Sequence, residues 1–265
     1  MNIYLHELKS HRKGLFFWSL GMVALVASGM AKYAAYQAAG QSIISIIDQL
    51  PKTVQIIFGL TGFDLSTASG FYGVLFLYIS LMATVHAILI GTDLIANEER
   101  DKTAEFLFVK PISRTAVITY KLLAGLVNLI IFNLVTTVSS VVIVGYFNKG
   151  ASVTQDILVL MIGLFFLQLL FFFAGIAIAA VNKKPKRSAS LATALLLVTF
   201  ILSFLINFNA KLDWLKYLTP FKYFDAKALI TTHSLDPVYV ALSLVIITGL
   251  VVTTYVTYTK RDLSV

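Results

Sequence analysis

Asp93-Leu-Ile-Ala-Asn-Glu-Glu-Arg-Asp-Lys-Thr-Ala-Glu-Phe-Leu-Phe-Val-Lys-Pro-Ile-Ser-Arg-Thr-Ala-Val-Ile-Thr-Tyr-Lys121 lies between two long apolar runs. It holds four of the chain's 13 acids, Glu98, Glu99, Asp101 and Glu105, within eight residues. If the flanking runs enter a bilayer, this stretch must leave it, because hydrocarbon offers no partner to charges or open backbone groups. The rest of the chain says that they do. It is 58% hydrophobic and 13% charged, with 20 phenylalanines and a mean hydropathy of +0.85, whereas a soluble domain is about 25% charged.

The apolar runs are continuous and not alternating, which points to helices and away from a strand barrel. Working outward, the spacing predicts an all-α chain of six transmembrane helices, a single transmembrane domain over residues 1–265. The spans fall at about Gly14–Tyr36, Phe71–Ile95, Thr115–Tyr146, Gln155–Val181, Ala189–Phe208 and Val238–Thr259. The first run is too long for the apolar region of a signal peptide, and Ala31-Lys-Tyr-Ala is a poor cleavage site, so it is expected to be retained. Ahead of it, Tyr4, Leu8 and Leu15 recur at near-helical spacing among Glu7, Lys9, Arg12 and Lys13. That pattern predicts an N-terminal amphipathic helix in the headgroup region, with a solvated basic leader as the alternative.

Between the first two spans, Ile43, Ile46, Ile47, Leu50, Val54, Ile57 and Phe58 recur at helical spacing around Pro51. Such a segment is too interrupted to span and is expected as amphipathic helices on the outer surface. Pro111 should end any helix in the opening stretch, with Ser113 placed to cap the next one. Residues 209–237 mix Trp214, Tyr217, Tyr223 and Phe224 with Lys211, Lys216, Lys222 and Lys227, a composition that interfaces favour.

With cytoplasmic termini, the inner segments carry Lys9, Arg12, Lys13, Arg100, Lys102, Lys110, Arg114, Lys121, Lys183, Lys184, Lys186, Arg187, Lys260 and Arg261, fourteen of the 21 basic residues. The outer side keeps seven lysines and no arginine. The positive-inside rule therefore sets both termini in the cytoplasm, and the net charge of +8 reflects topology and not nucleic-acid binding. The Lys183-Lys-Pro-Lys-Arg run reads as a topology anchor, with anionic-lipid contact as the second reading.

Several constellations could carry chemistry. Within the opening stretch Glu98 can pair with Lys102, and Ala104, Leu107 and Phe108 share one helical face; a charged helix with one apolar face can dock in a partner's groove, or the segment is a plain inter-helix loop. His86 and Asp93 stand seven residues apart on one face of the second span, which fits a proton relay or half a metal site, or a merely packed polar residue. Asn128, Asn133 and Gln168 lie within spans, where interhelical hydrogen bonds are the default and substrate contact the alternative. Phe165, Phe166, Phe171, Phe172 and Phe173 fit packing, lipid contact or a path for apolar cargo. The chain has no cysteine and no Gly-x-x-x-x-Gly-Lys-Ser/Thr, His-Glu-x-x-His or Gly-x-Ser-x-Gly, so it carries no signature of a phosphate-binding loop, a thiolate metal site, a metalloprotease or a serine or cysteine nucleophile.

The stretch Asn97 to Arg114, followed by Lys121, resembles the cytoplasmic motif of type II ABC exporter permeases: acidic residues, Gly-Thr, a glutamate two on, two apolar residues, then Pro-Ile/Val-Ser-Arg. Thr103, Glu105, Leu107, Pro111, Ser113 and Arg114 match, while Lys102 stands where glycine is common. The amphipathic N-terminus and Tyr217-Leu-Thr-Pro-Phe-Lys-Tyr-Phe-Asp before the last span are also similar to that family. The resemblance implies a permease subunit and not an enzyme. It would work as a homodimer, or with a similar permease, beside two ABC ATPase subunits in a bacterial plasma membrane. ATP and Mg would be held by the partner ATPase, with no cofactor in this chain.

Residues 97–110 would resemble the coupling helix, with Glu98, Glu99, Thr103, Glu105, Leu107 and Phe108 contacting the ATPase and Pro111 and Arg114 shaping the exit. Candidate path residues are His86, Asn128, Asn133 and Gln168, and the expected cargo is a peptide, drug or lipid-like amphiphile. The competing classes are a secondary transporter or channel, and an intramembrane hydrolase.

Overall fold

The computed structural model describes residues 3–39, 49–100, 113–148, 150, 152–182, 185–208 and 210–260. Its helices are α1 (Ile3–Ala39), α2 (Lys52–Ile57), α3 (Ala68–Arg100), α4 (Arg114–Phe147), α5 (Thr154–Val181), α6 (Pro185–Phe208), a 3-10 helix (Ala210–Leu218), α7 (Pro220–Tyr223), α8 (Ala226–Thr232) and α9 (Pro237–Lys260). No strand occurs among the described residues. Six helices, α1, α3, α4, α5, α6 and α9, are long and apolar enough to cross a membrane; all but α1 match the expected spans within a few residues at both ends. Even α6 and α9, at 24 residues each, reach about 36 Å, more than the roughly 30 Å hydrocarbon layer.

One boundary differs in kind. The amphipathic N-terminus is not a separate element but the first turns of α1, which runs for 37 residues without a break. No proline interrupts it, and Gly14, Gly21 and Gly29 each lower helix stability by only about 1 kcal/mol. At about 55 Å this helix outruns the hydrocarbon layer, so its charged turns extend beyond the span.

Helices α3 and α5 form the centre, each far more buried than the other spans. Their contact is made close by glycine. A Cβ at Gly175 would come within 2.5 Å of the Ile88 carbonyl oxygen, and Gly91 lies equally tight over the Phe172 carbonyl. Without a hydrophobic drive between helices in lipid, such close backbone approach supplies the packing. Gly125 of α4 extends the seam, since its missing Cβ leaves room for the Phe172 ring and for Leu94. The phenylalanines of α5 serve this core: Phe171, Phe172 and Phe173 are buried, Phe171 meets Phe221 at 5.1 Å and Phe166 stacks on Phe224 at 5.7 Å.

Interhelical polar contacts show which ends lie together. Ser69 at the start of α3 hydrogen-bonds to Asp156 at the start of α5, and His233 after α8 lies 3.2 Å from the same carboxylate. Gln37 near the end of α1 donates to the Ser66 carbonyl. These contacts gather the long connections at one end, and the start of α1 and the end of α9 lie at the other. There Ser113 caps α4 as its position predicts, accepting from the Ala116 amide at 3.2 Å. Around Pro51 the chain forms the single short helix α2, while residues 40–48 lie outside those described.

Candidate functional site

The end that carries the termini also carries the flanks of the charged stretch, and there one side chain joins three helices. Lys121 sits on the second turn of α4 and is 1% exposed. An ammonium so buried is costly unless paired and hydrogen-bonded. Its Nζ donates to Oε1 of Glu7 on α1 at 2.9 Å and to the Leu94 carbonyl of α3 at 2.6 Å. Glu7 is itself nearly buried, and its other oxygen lies 3.7 Å from His11 Nε2, one turn along α1. Leu94 lies just before residues 97–114 and Lys121 just after them, so the joint ties both flanks of that segment to the N-terminal helix.

A second tie secures α4 on its other side. Arg114 donates from Nη1 to the Thr259 carbonyl of α9 at 3.3 Å, and the Thr119 and Tyr255 hydroxyls are hydrogen-bonded at 2.8 Å. The first turns of α4 are therefore held to α1, α3 and α9 together. Of the residues assigned to ATPase coupling, Thr103, Glu105, Leu107, Phe108 and Pro111 lie outside the described residues. Glu98 and Glu99 lie in the last turn of α3, with their side chains likewise outside the description. Arg114 alone is described with its contacts.

The candidate path residues are all placed in the interior of the chain or at its helix contacts. His86 is 2% exposed; its ring stacks on Phe132 of α4 at 4.3 Å and leans on Trp18 of α1 at 5.5 Å, with neither ring nitrogen hydrogen-bonded. Asp93, seven residues on, is partly buried on the same helix. Asn128 is folded back on its own helix, donating to the Ala124 carbonyl at 3.0 Å. Asn133 and Gln168 do meet: the Asn133 amide donates to Gln168 Oε1 at 3.0 Å and to the Met161 carbonyl at 3.3 Å, bracketing α4 to α5.

The motif at residues 217–225 is a structural corner at the opposite end. Phe221, Tyr223 and Phe224 are buried, Tyr223 stacks on Tyr239 of α9 at 5.1 Å, and its hydroxyl donates to the Tyr217 carbonyl. Burial, with Tyr239 alongside, pushes the Tyr223 phenol up to about 12.

Sequence reasoning had marked Glu7 and Lys121 separately but could not pair them across 114 positions. The available signal was a lysine set seven residues inside a span, where an unpaired charge is costly.

No individually curated protein matches the chain. A family model described as ABC-2 family transporter protein matches residues 1–263. With six membrane-length helices and a match that runs from end to end, the chain belongs to the ABC-2 transporter family and is a multi-pass permease subunit.

Proposed function

We propose that this permease is half of the path of an ATP-driven exporter, working as a homodimer or with a similar permease and docked on two ATPase subunits that hold ATP and Mg. Membership of the family implies ATPase partners in general. The arginine and lysine census supports cytoplasmic termini and, with them, a cytoplasmic stretch 97–114 in a bacterial plasma membrane. In this reading Glu98, Glu99, Thr103, Glu105, Leu107 and Phe108 meet the ATPase, while Pro111 and Arg114 fix the way back into α4. The phenylalanine-rich interior and the apolar connections favour an amphiphilic cargo such as a peptide, drug or lipid-like molecule.

The observation that carries the reading is the Glu7–Lys121–Leu94 joint. A push on residues 97–112 can move a span only if the flanks of that segment are rigidly held to it. Lys121 holds the end of α3, the start of α4 and the N-terminal turns of α1 as one body, and Arg114 extends that body to α9. ATPase closure would then shift a block of helices and not a loose loop. Such coupling needs the segment to contact the two ATPase states with different free energy. Among the candidate path residues, Asn133 and Gln168 serve as a bracket between helices, His86 as a packed ring and Asn128 as a locally satisfied amide; the path itself would form between permease copies.

The test replaces Glu105 and Phe108 by alanine together, and reads co-purification of the ATPase and ATP-dependent transport. Both should fall sharply while the permease remains folded. Retention of both would refute the coupling role, and transport driven by an ion gradient without any ATPase would favour a secondary transporter.

A further inference from the structure

At the end opposite the termini, a cavity of about 610 Å³ opens between α3, α6, the α2 region and the corner 213–228. That volume lies within the usual range of small-ligand sites. Its floor is aromatic and aliphatic, formed by Phe76 of α3, Leu167 of α5, Phe204 of α6 and Phe221. Its rim is cationic, with four lysines, Lys52, Lys216, Lys222 and Lys227, against the carboxylates of Asp213 and Asp225.

Both carboxylates are already engaged. Asp213 accepts from Lys216 at 2.6 Å, and Asp225 from Lys222 at 3.1 Å, with Asn207 taking a second hydrogen bond from Lys222 at 2.6 Å. Lys52 and Lys227 have no carboxylate partner among the described residues, which leaves the rim two positive charges in excess. Gly62 adopts φ +85, and the end of the Lys227 side chain lies 2.5 Å from where a Cβ on Gly62 would sit, so the lysine passes close over this loop.

We propose that this cavity binds a net-anionic phospholipid from the adjacent membrane leaflet, the phosphate between Lys52 and Lys227 and an acyl chain on the phenylalanine floor. Charge complementarity selects the anion: two unpaired ammonium groups beside an apolar floor match one anionic head joined to an apolar tail. The source is a lipid and not a dissolved anion because the wall is continuous with the lipid-exposed side of α6. Leu205 and Phe208 are exposed on the same turns that give Phe204 and Asn207 to the cavity. The site needs only the membrane placement of the spans and is separate from ATPase coupling, so either reading can fail without the other.

Trp214 provides a local reporter. It is exposed on the 3-10 helix between the cavity residues Asp213 and Lys216. The full-length permease carrying Trp18→Phe, so that Trp214 is the remaining tryptophan, is placed in phosphatidylcholine nanodiscs containing increasing fractions of brominated phosphatidylglycerol. Quenching of Trp214 should saturate well before brominated phosphatidylcholine does the same. In Lys52→Gln/Lys227→Gln the half-saturating fraction should rise about 10- to 30-fold, from the contribution of two lysines near an anionic lipid surface. The Lys52→Arg/Lys227→Arg and Lys211→Gln variants should titrate like the parent, which separates the site from general surface charge and from misfolding. Equal quenching by the two lipids, or an unchanged titration in the double glutamine variant, overturns the proposal. Displacement of the lipid signal by excess inorganic phosphate overturns the lipid source and indicates a simple anion site.

Discussion

Removing Glu7 should destabilise the permease through a residue 114 positions away. Lys121 is 1% exposed, and Glu7→Ala takes from its ammonium the Glu7 carboxylate at 2.9 Å. Breaking a buried ion pair from one side costs about 3–5 kcal/mol. The Leu94 carbonyl at 2.6 Å remains, which places the expected loss near the lower figure, about 3 kcal/mol. Lys121→Met should cost less, about 1–2 kcal/mol, because Glu7 is less deeply buried than the ammonium and keeps His11 Nε2 as a neighbour at 3.7 Å. Replacing both as Glu7→Ala/Lys121→Met removes the charges together, so that neither is left buried without its partner.

The double variant should therefore be more stable than Glu7→Ala alone, and the cycle should show coupling of about 2–4 kcal/mol. Unfolding in mixed micelles, followed by loss of helical signal, gives each free energy. The same four proteins reconstituted with the ATPase separate stability from function: the double variant should stay folded yet lose transport per ATP hydrolysed. Additive single effects, or a Glu7→Ala cost under about 1 kcal/mol, would show that the pair is hydrated and would remove the joint from the mechanism.

Two further predictions concern the core. Gly175→Val places a branched side chain where a Cβ already meets the Ile88 carbonyl at 2.5 Å; α3 and α5 must separate, with a loss of about 1–3 kcal/mol or failure to assemble, measured by folded yield and unfolding in micelles. A stability equal to the parent would mean that the two helices do not rely on this contact. Asn133→Leu should cost about 0.6–2 kcal/mol by leaving Gln168 unpaired in the interior, and Gln168→Leu added to it should recover part of that loss, read in the same unfolding assay.

Much of the architecture was legible because the signal is local. A bilayer demands about 20 apolar residues per helix, so the runs ending near Tyr146, Val181 and Phe208 identified α4, α5 and α6 directly, and Ser113 after Pro111 located the start of α4. The N-terminal turns were legible as amphipathic, but their fusion with the first span was not. Amphipathicity reports a face, whereas continuity depends on the absence of a breaker over all of residues 3–39. The candidate path residues show the limit on the functional side. Asn128 and Asn133 look alike as polar residues in one apolar run, yet one satisfies its own helix and the other reaches Gln168, a difference set by helix rotation.

The sequence by itself determined the class, the number of spans, the charged stretch between the second and third of them, and the family to which these features belong. All of these follow from composition and from residues within about 20 positions of each other, the length over which lipid and backbone hydrogen bonding act. Only the tertiary structure decided which charges meet. The pairing of Glu7 with Lys121, the tie from Arg114 to α9, the close approach at Gly175 and the cavity under Lys52 and Lys227 each join distant parts of the chain. Their partners are chosen by the rotation and crossing of packed helices, geometry that no local pattern encodes.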